Sequence, residues 1–348
     1  MHYGRVAFDD RAKRLAVVNH SGIQVLDART GLDLSEIRGH RGVVNCVSVS
    51  VDGRTVATGG EDGRIRKWKA DDSWESHEFD LKNEGRIGDV AFNPNGKQFA
   101  LQSAWHVQLR VLPSGAQSAL IPGMESARLA YSRDGSRLAN AVQYELRMID
   151  AGSGRELFKV PKSVYTAVVA VSPDGKRLAG QPSQVQALYI WDGTTGELQS
   201  TLSYERNQLP ESTAVTFSVD GKLLYSAHPG AAPQMWNVET NRRVGSLQSA
   251  RWTGSDDLQL SADGRWLVSR AGYVGVVVWD VKSGYIEHEF DLGAASVRDI
   301  AVSPEGRHLL TANGDGTCYV FRLAKTVAER AAPPPAPTKA TSDGPLKD

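Results

Sequence analysis

A turn signal recurs along this chain at a nearly constant interval, and it constrains the fold more than any other feature. An acidic residue or Asn precedes a Gly that separates two short apolar runs, and successive signals lie 43, 39, 40, 46, 43 and 42 residues apart. Asp-Gly or Asn-Gly between apolar runs favours a tight hairpin. A repeat of this length made of strands predicts a radial β-propeller. The seven glycines are Gly53, Gly96, Gly135, Gly175, Gly221, Gly264 and Gly306.

A second marker keeps the same period and adds one unit at the start of the chain. Each unit has an alternating apolar run that ends in a large residue, and these residues are Leu26, Trp68, Val111, Ile149, Trp191, Trp236, Trp279 and Phe321. Eight such units predict an all-β fold, a single propeller of eight four-stranded blades. The alternative is a seven-bladed ring with an incomplete extra unit.

The domain prediction is one propeller over residues 1–330, followed by a disordered Pro-rich tail at 331–348. Five prolines among small polar residues cannot bury a core, which predicts disorder for the tail. The first unit begins at its innermost strand, so the outer strand of the last blade must come from elsewhere. Either Thr326 to Arg330 supplies this strand, or the blade has three strands, or an upstream segment completes it.

Bulk composition excludes several classes of protein. Forty Lys plus Arg balance forty Asp plus Glu, so no net field favours nucleic acid or an anionic membrane. No export signal and no apolar run of membrane-spanning length are visible. Cys46 and Cys318 lie in apolar strand patterns, which indicates two buried reduced thiols. We therefore expect a soluble, cytoplasmic chain that is monomeric as an isolated ring, unless it is a fragment whose location is set elsewhere.

No pattern of residues predicts catalysis, a metal site or a cofactor. The eight His residues are scattered, without the nucleophile and oriented base that acyl transfer requires. His residues at zinc-binding spacing are absent, and the glycine-rich runs precede strands rather than helices. We therefore expect a non-enzyme without cofactor or metal. Asp89, Asp257 and Asp299 nevertheless fall near one end of the predicted central channel.

The repeats resemble those of the WD-repeat (WD-40) family over about residues 5 to 325. Trp191 with Asp192 and Trp279 with Asp280 match the pair that names the family, and Gly39 with His40 matches its Gly-His element. The resemblance implies a buried structural tetrad of hydrogen-bonded side chains in the second unit. The Ser-Pro-Asp-Gly type of turn, as at Ser172 to Gly175, resembles bacterial members of the family. Carried over to this sequence, the tetrad residues are His40, Thr58, Asp62 and Trp68.

The predicted function is a non-catalytic scaffold whose inter-blade loops recognise a protein or peptide. Several large side chains stand where small turn residues are expected, and aromatic residues with Arg are typical of binding hot spots. The alternatives are a small-ligand receptor or enzyme using the central channel, and a docking or sensor domain of a larger protein. The predicted partner-binding residues are His20, Trp105, His106, Tyr144, Tyr204, Arg206, His228, Trp252 and Tyr273.

Overall fold

The structure is a computed structural model. It describes residues 5–8, 14–19, 22–27, 40, 42–69, 76–79, 85–103, 106–122, 128–142, 145–160, 169–182, 185–204, 214–248, 255–271, 275–293, 296–304 and 306–323. The described part contains thirty β-strands in eight antiparallel sheets. No helix in these segments has the length and apolar composition that a membrane crossing requires.

The predicted turn chemistry organises each blade. In the hairpin at Ser172 to Gly175, the Ser172 hydroxyl donates to an Asp174 carboxylate oxygen at 2.6 Å, and that oxygen also accepts the N–H of Lys176. Gly175 follows with a φ of +70°, which a residue without Cβ adopts at little cost. The local sequence therefore closes the hairpin with its own side chains, and the apolar runs on either side become paired strands.

Seven sheets are arranged as the blades of one propeller, numbered here in chain order. Each blade runs outward from its innermost strand. Blade 1 contains β4 (Val44–Val49), β5 (Thr55–Gly60), β6 (Ile65–Lys69) and β7 (Ser76–Phe79); blade 2 contains β8 (Ile87–Phe92), β9 (Gln98–Ser103), β10 (His106–Val111) and β11 (Gln117–Pro122); blade 3 contains β12 (Arg128–Tyr131), β13 (Arg137–Val142), β14 (Glu145–Asp150) and β15 (Glu156–Val160); blade 4 contains β16 (Val169–Val171), β17 (Arg177–Gly180), β18 (Ala187–Asp192) and β19 (Leu198–Ser203); blade 5 contains β20 (Ala214–Phe217), β21 (Leu223–His228), β22 (Ala231–Asn237) and β23 (Arg242–Ser246); blade 6 contains β24 (Ser255–Leu260), β25 (Trp266–Ala271), β26 (Gly275–Asp280) and β27 (Ile286–Asp291); blade 7 contains β28 (Val297–Val302), β29 (His308–Asn313) and β30 (Cys318–Arg322).

Blade 7 closes the ring against blade 1. Its innermost strand β28 packs beside β4, and one apolar cluster joins Val44 and Val47 to Ala301 and Leu310 across this seam. The eight-bladed prediction is therefore wrong, and the seven-bladed alternative with an extra unit is correct. Both sequence markers counted repeats, but a local repeat carries no information on which units close around the axis.

The extra unit is the first one. Its strands β1 (Arg5–Phe8), β2 (Arg14–Asn19) and β3 (Gly22–Asp27) form a separate antiparallel sheet in the order β1-β2-β3. The register pairs Phe8 with Leu15 and Arg5 with Val18. The segment Thr326 to Arg330 and the tail at 331–348 lie outside the described residues, so both remain sequence predictions.

The hydrophobic core is divided among the seams of the ring. The described residues form seven apolar clusters, and each contains side chains from two neighbouring blades. Between blades 1 and 2, for example, Ile65 packs with Ile87 and Phe99, and all three are fully buried. Mutual burial of this kind makes the ring rigid. The propeller has two faces. The loop face carries the inter-blade connections and the turns between the second and third strands of each blade, such as the turn from β5 to β6. The hairpin face carries the Asp-Gly turns.

Candidate binding site at the loop end of the channel

The innermost strands place equivalent residues around the loop end of the central channel. Each of these residues stands seven positions before the hairpin Gly of its unit, near the start of an innermost strand. Five of the seven are charged or thiol-bearing. The set is Cys46, Asp89, Arg128, Val168, Ala214, Asp257 and Asp299, of which Val168 lies outside the described residues.

Two of the carboxylates link one blade to the next. Asp89 on blade 2 accepts the N–H of Leu129 on blade 3 at 2.9 Å. Asp299 on blade 7 accepts the N–H of Val47 on blade 1 at 2.8 Å. Backbone N–H groups of innermost strands face the channel without a strand partner, and a buried unpaired donor costs free energy. These carboxylates therefore have a structural role in addition to any role in binding.

Burial dominates the electrostatics of this site. It raises the pKa of Asp89 to about 6, although the charge of Arg128 acts in the opposite direction. Burial also raises the pKa of Asp299 well above its ordinary value, and the neighbouring Asp257 raises it further. Burial lowers the pKa of Arg128, but the negative charges of the three carboxyls raise it above its ordinary value. The site thus sets three acids against one base.

A cavity of about 560 Å³ occupies the channel. Asp89, Arg128, Asp257 and Asp299 line its loop end, and the residues in the middle of the hairpin turns, such as Val51 and Pro173, line the opposite end. Most of the wall between these ends is apolar. That part of the lining includes Val47, Val90, Leu129, Val169, Val215 and Leu258.

No described group of three His, Cys, Asp or Glu side chains has a geometry that could hold a metal ion. Cys46 is buried, its thiol donates to the Gly59 carbonyl at 3.7 Å, and burial raises its pKa well above the ordinary value. Cys318 is also a free thiol and is half-buried. A raised pKa leaves both sulfurs as thiols, which are poor metal ligands and nucleophiles.

The structure places three of the predicted partner-binding residues. His106 is half-buried at the start of β10, whereas Tyr204 is 7 % exposed and His228 is fully buried. The prediction of exposed binding side chains is therefore wrong for Tyr204 and His228. The other members lie outside the described residues and remain predictions: His20, Trp105, Tyr144, Arg206, Trp252 and Tyr273.

Tyr204 and His228 belong to a buried polar cluster of blades 4 and 5. The Ser226 hydroxyl accepts the indole N–H of Trp236 at 2.8 Å and lies 2.8 Å from Nε2 of His228. The Tyr204 ring meets the His228 ring edge-on at 5.1 Å, and its hydroxyl donates to Gln181 at 2.7 Å. These contacts explain why two large polar side chains that looked exposed are instead part of the core.

The four residues of the predicted tetrad come together in blade 1. Nδ1 of His40 lies 2.9 Å from Asp62, Nε2 of His40 lies 2.8 Å from the Thr58 hydroxyl, and Trp68 donates its indole N–H to that hydroxyl at 2.9 Å. The blade 5 cluster uses the same arrangement of hydroxyl and Trp. Its His, however, comes from the end of β21 rather than from an inter-blade connection.

Arg128 is the functional candidate that sequence reasoning missed. Asp89, Asp257 and Asp299 share one position in the repeat, seven residues before the hairpin Gly. Counting seven residues back from Gly135 would have placed Arg128 in the same ring.

Comparison with known proteins agrees with this geometry. The model named "WD domain, G-beta repeat" matches residues 31–69, which include most of blade 1, and residues 285–322, which reach from β27 to the end of blade 7. The chain carries WD40 repeats. The second matched segment contains no Trp-Asp pair, so the match there depends on the rest of the repeat.

Several proteins from eukaryotes are similar to the chain. The Dictyostelium discoideum periodic tryptophan protein 2 homolog is 24 % identical over 207 residues, 60 % of this chain and 18 % of its own length. Actin-interacting protein 1 of Caenorhabditis elegans is 24 % identical over 229 residues, 62 % of this chain and 35 % of its own. A guanine nucleotide-binding protein subunit beta of Solanum tuberosum is 21 % identical over 301 residues, 84 % of this chain and 72 % of its own.

The chain thus spans about a fifth to a third of the length of the first two relatives. The relatives named here give no support to the prediction of a bacterial type of repeat. They support the WD40 repeats and the propeller fold.

Proposed function

We propose that the chain is a non-catalytic protein-binding platform whose loop face receives the partner. The observation that carries the proposal is a closed ring of mutually buried blades, which fixes the strand ends from which the loops of this face extend. A pre-formed surface loses little conformational entropy on binding. Two of the relatives are named for association with other proteins, actin in one and a guanine nucleotide-binding protein in the other.

The charges at the loop end of the channel favour a basic segment of the partner. Among the described residues that line this end, Asp89, Asp257 and Asp299 are opposed by one cation, Arg128, so a Lys or Arg side chain would improve the local charge balance. The sequence predicts aromatic residues, such as Trp105 and Trp252, in the loops of this face. Aromatic anchors around a charged centre are a common composition of protein interfaces.

A small-ligand receptor or an enzyme in the channel is the second candidate. The cavity of about 560 Å³ and the raised pKa of Asp89 favour it, since perturbed carboxyls in clefts are enriched at active sites. Both oxygens of Asp89, however, already accept N–H groups, one from Val90 at 2.8 Å and one from Leu129 at 2.9 Å. A carboxylate held in this way is a weaker candidate for proton transfer.

Binding of basic peptides to variants tests the proposal. Fluorescence anisotropy with a library of Lys- and Arg-containing peptides should identify ligands whose affinity falls about tenfold in Asp89→Asn. Glu239→Gln is the matched control, because Glu239 is an exposed acid on the hairpin face, and its affinity should equal that of the wild type. Trp105→Ala with Trp252→Ala should weaken the same peptides.

Equal loss in Asp89→Asn and Glu239→Gln would argue for non-specific charge attraction and against this site. Undiminished binding by the double Trp variant would reject the loop face. Turnover of any substrate that is abolished in Asp89→Asn would favour the second candidate.

A further inference from the structure

The seam between blades 7 and 1 differs from the other six seams. Each of the other pairs of neighbouring blades is consecutive in the chain, so a connecting segment joins them. Blades 7 and 1 are at opposite ends of the ring's sequence, and non-covalent contacts hold them together. Any interaction that crosses this seam therefore has a larger effect on ring closure than its counterpart elsewhere.

Asp299 lies at this seam and contacts the blades on both of its sides. Its Oδ2 accepts the N–H of Val47 on blade 1 at 2.8 Å. Its carboxyl also pairs with that of Asp257 on blade 6. Three consecutive blades, 6, 7 and 1, are thus linked through the two carboxyl groups.

The two carboxyls require a proton between them. Asp257 and Asp299 are 7 % and 5 % exposed, and two carboxylates in contact in a buried site cannot both ionise without a large cost. One Asp257 oxygen is held by the N–H of Leu258 at 2.8 Å. Asp257 is therefore an oriented acceptor. A protonated Asp299 would donate to it with one oxygen, while Oδ2 of Asp299 accepts the N–H of Val47.

Other ionisable groups face this pair from the surrounding strands. The nearest influences are the positive charge of Arg128 on β12 and the negative charge of Asp89 on β8. Cys46 on β4 and Cys318 on β30 feel the field of Asp299, and burial raises the pKa of both thiols. Arg270 on β25 donates to the carbonyl of Val297 on the strand that carries Asp299. Arg128 is thus the cation that partly offsets ionisation of the pair.

We propose that Asp257 and Asp299 form a proton-linked clasp that holds blades 6, 7 and 1 together and loosens as the shared proton is lost. The clasp uses two of the carboxyls of the proposed binding site, but its test requires no ligand, so the two proposals can fail separately. The sign follows from the carboxyl chemistry. A carboxyl that is protonated more readily in the folded ring than in the unfolded chain contributes fully at low pH, and its contribution falls as pH rises through the folded-state pKa.

Blade 2 offers a matched comparison within the same molecule. Asp89 makes the same kind of bond to the following blade, to Leu129, but no second carboxyl pairs with it in the way that Asp257 pairs with Asp299. The bond from Asp89 to Leu129 differs from the clasp in two ways: it involves no shared proton, and a connecting chain segment joins the two blades that it links.

Amide hydrogen exchange of the full chain, measured by mass spectrometry from pH 4 to pH 9, tests the clasp. With rates corrected for intrinsic exchange, we expect protection of residues 44–49 to fall up to about tenfold per pH unit within the titration window. Asp299→Asn should reduce this dependence, because an amide can donate to Asp257 and accept from Val47 without a titrating proton. Residues 128–131, next to Asp89, should keep their wild-type profile in this variant.

Asp257→Asn provides a second, independent variant, since an amide at this position can also pair with Asp299. It should flatten the profile of residues 44–49 as well, so the test does not depend on one variant folding. A wild-type profile for residues 44–49 that is flat or rises with pH would overturn the clasp. So would an unchanged pH slope in either variant.

Discussion

Replacing Thr58 by Val tests whether the blade 1 cluster stabilises the fold through its hydroxyl. Thr58 is fully buried, and its hydroxyl meets both the Trp68 indole N–H at 2.9 Å and Nε2 of His40 at 2.8 Å. Thr311 occupies the same place in blade 7, five residues after the hairpin Gly, and is also fully buried. Its hydroxyl has no hydrogen-bond partner among the described residues. The two threonines therefore differ in pairing rather than in burial.

The expected effects have opposite signs. Thr58→Val keeps the volume of the side chain but leaves two polar groups without their partner, which costs about 2–4 kcal/mol of the free energy of unfolding. Thr311→Val replaces an unpaired buried hydroxyl with a methyl group and should stabilise the ring by about 1 kcal/mol. A difference of about 3–5 kcal/mol between two chemically identical substitutions is large compared with ordinary context effects.

Urea unfolding followed by far-UV circular dichroism and by Trp fluorescence measures both values. Coincident transitions are required, since a chain of 348 residues need not unfold in two states. Wild-type spectra at zero denaturant are the control for folding. Equal destabilisation by both substitutions would show that the methyl group disturbs packing at this position, and would refute the reasoning from hydrogen bonds.

Three further expectations follow from the contacts. Ser226→Ala should lower the free energy of unfolding by about 2 kcal/mol in urea unfolding, because the buried Trp236 indole loses its acceptor; an unchanged midpoint would contradict this. Burial raises the pKa of Asp89 to about 6, so its ionisation should lower the free energy of unfolding by up to about 3 kcal/mol as pH rises from 4 to 7. The free energy of unfolding of the wild type minus that of Asp89→Asn should therefore fall over this range, and a difference that does not fall would refute the expectation. Gly135→Ala should lower the melting temperature more than Gly230→Ala, because both have positive φ but only at Gly135 would a Cβ collide with a neighbouring side chain; equal shifts would rule out the collision.

The strands and hairpins could be predicted because their causes are local. An acidic residue or Asn before Gly, between apolar runs, specifies a hairpin through its own side-chain and backbone preferences. Each of these signals from Gly53 to Gly306 joins the innermost strand of a ring blade to the next strand. The number of blades depends instead on which units pack around one axis. The first unit shares the alternating apolar run that ends in a large residue but lacks the Gly hairpin signal of the seven ring blades. That local difference does not by itself say whether the unit closes into the ring.

The candidate site could be predicted only in part, for a similar reason. Asp89, Asp257 and Asp299 share a position in the repeat, and the repeat alone puts them at one end of the channel. Burial of Tyr204 and His228 depends on contacts between residues far apart in sequence, such as the bond from Tyr204 to Gln181. Large polar residues in turn-like segments look exposed until such partners are known.

Two repeats that have lost the full family pattern, in blades 5 and 6, still pair the indole N–H of their Trp. Blade 1 joins His40 and Trp68 through Thr58, blade 5 joins His228 and Trp236 through Ser226, and in blade 6 the indole of Trp279 donates to a backbone carbonyl instead. Because a buried indole N–H must be paired, any nearby acceptor can replace the missing side chain. In these three blades the Trp indole N–H is therefore always paired, and its acceptor can be a side-chain hydroxyl or a backbone carbonyl.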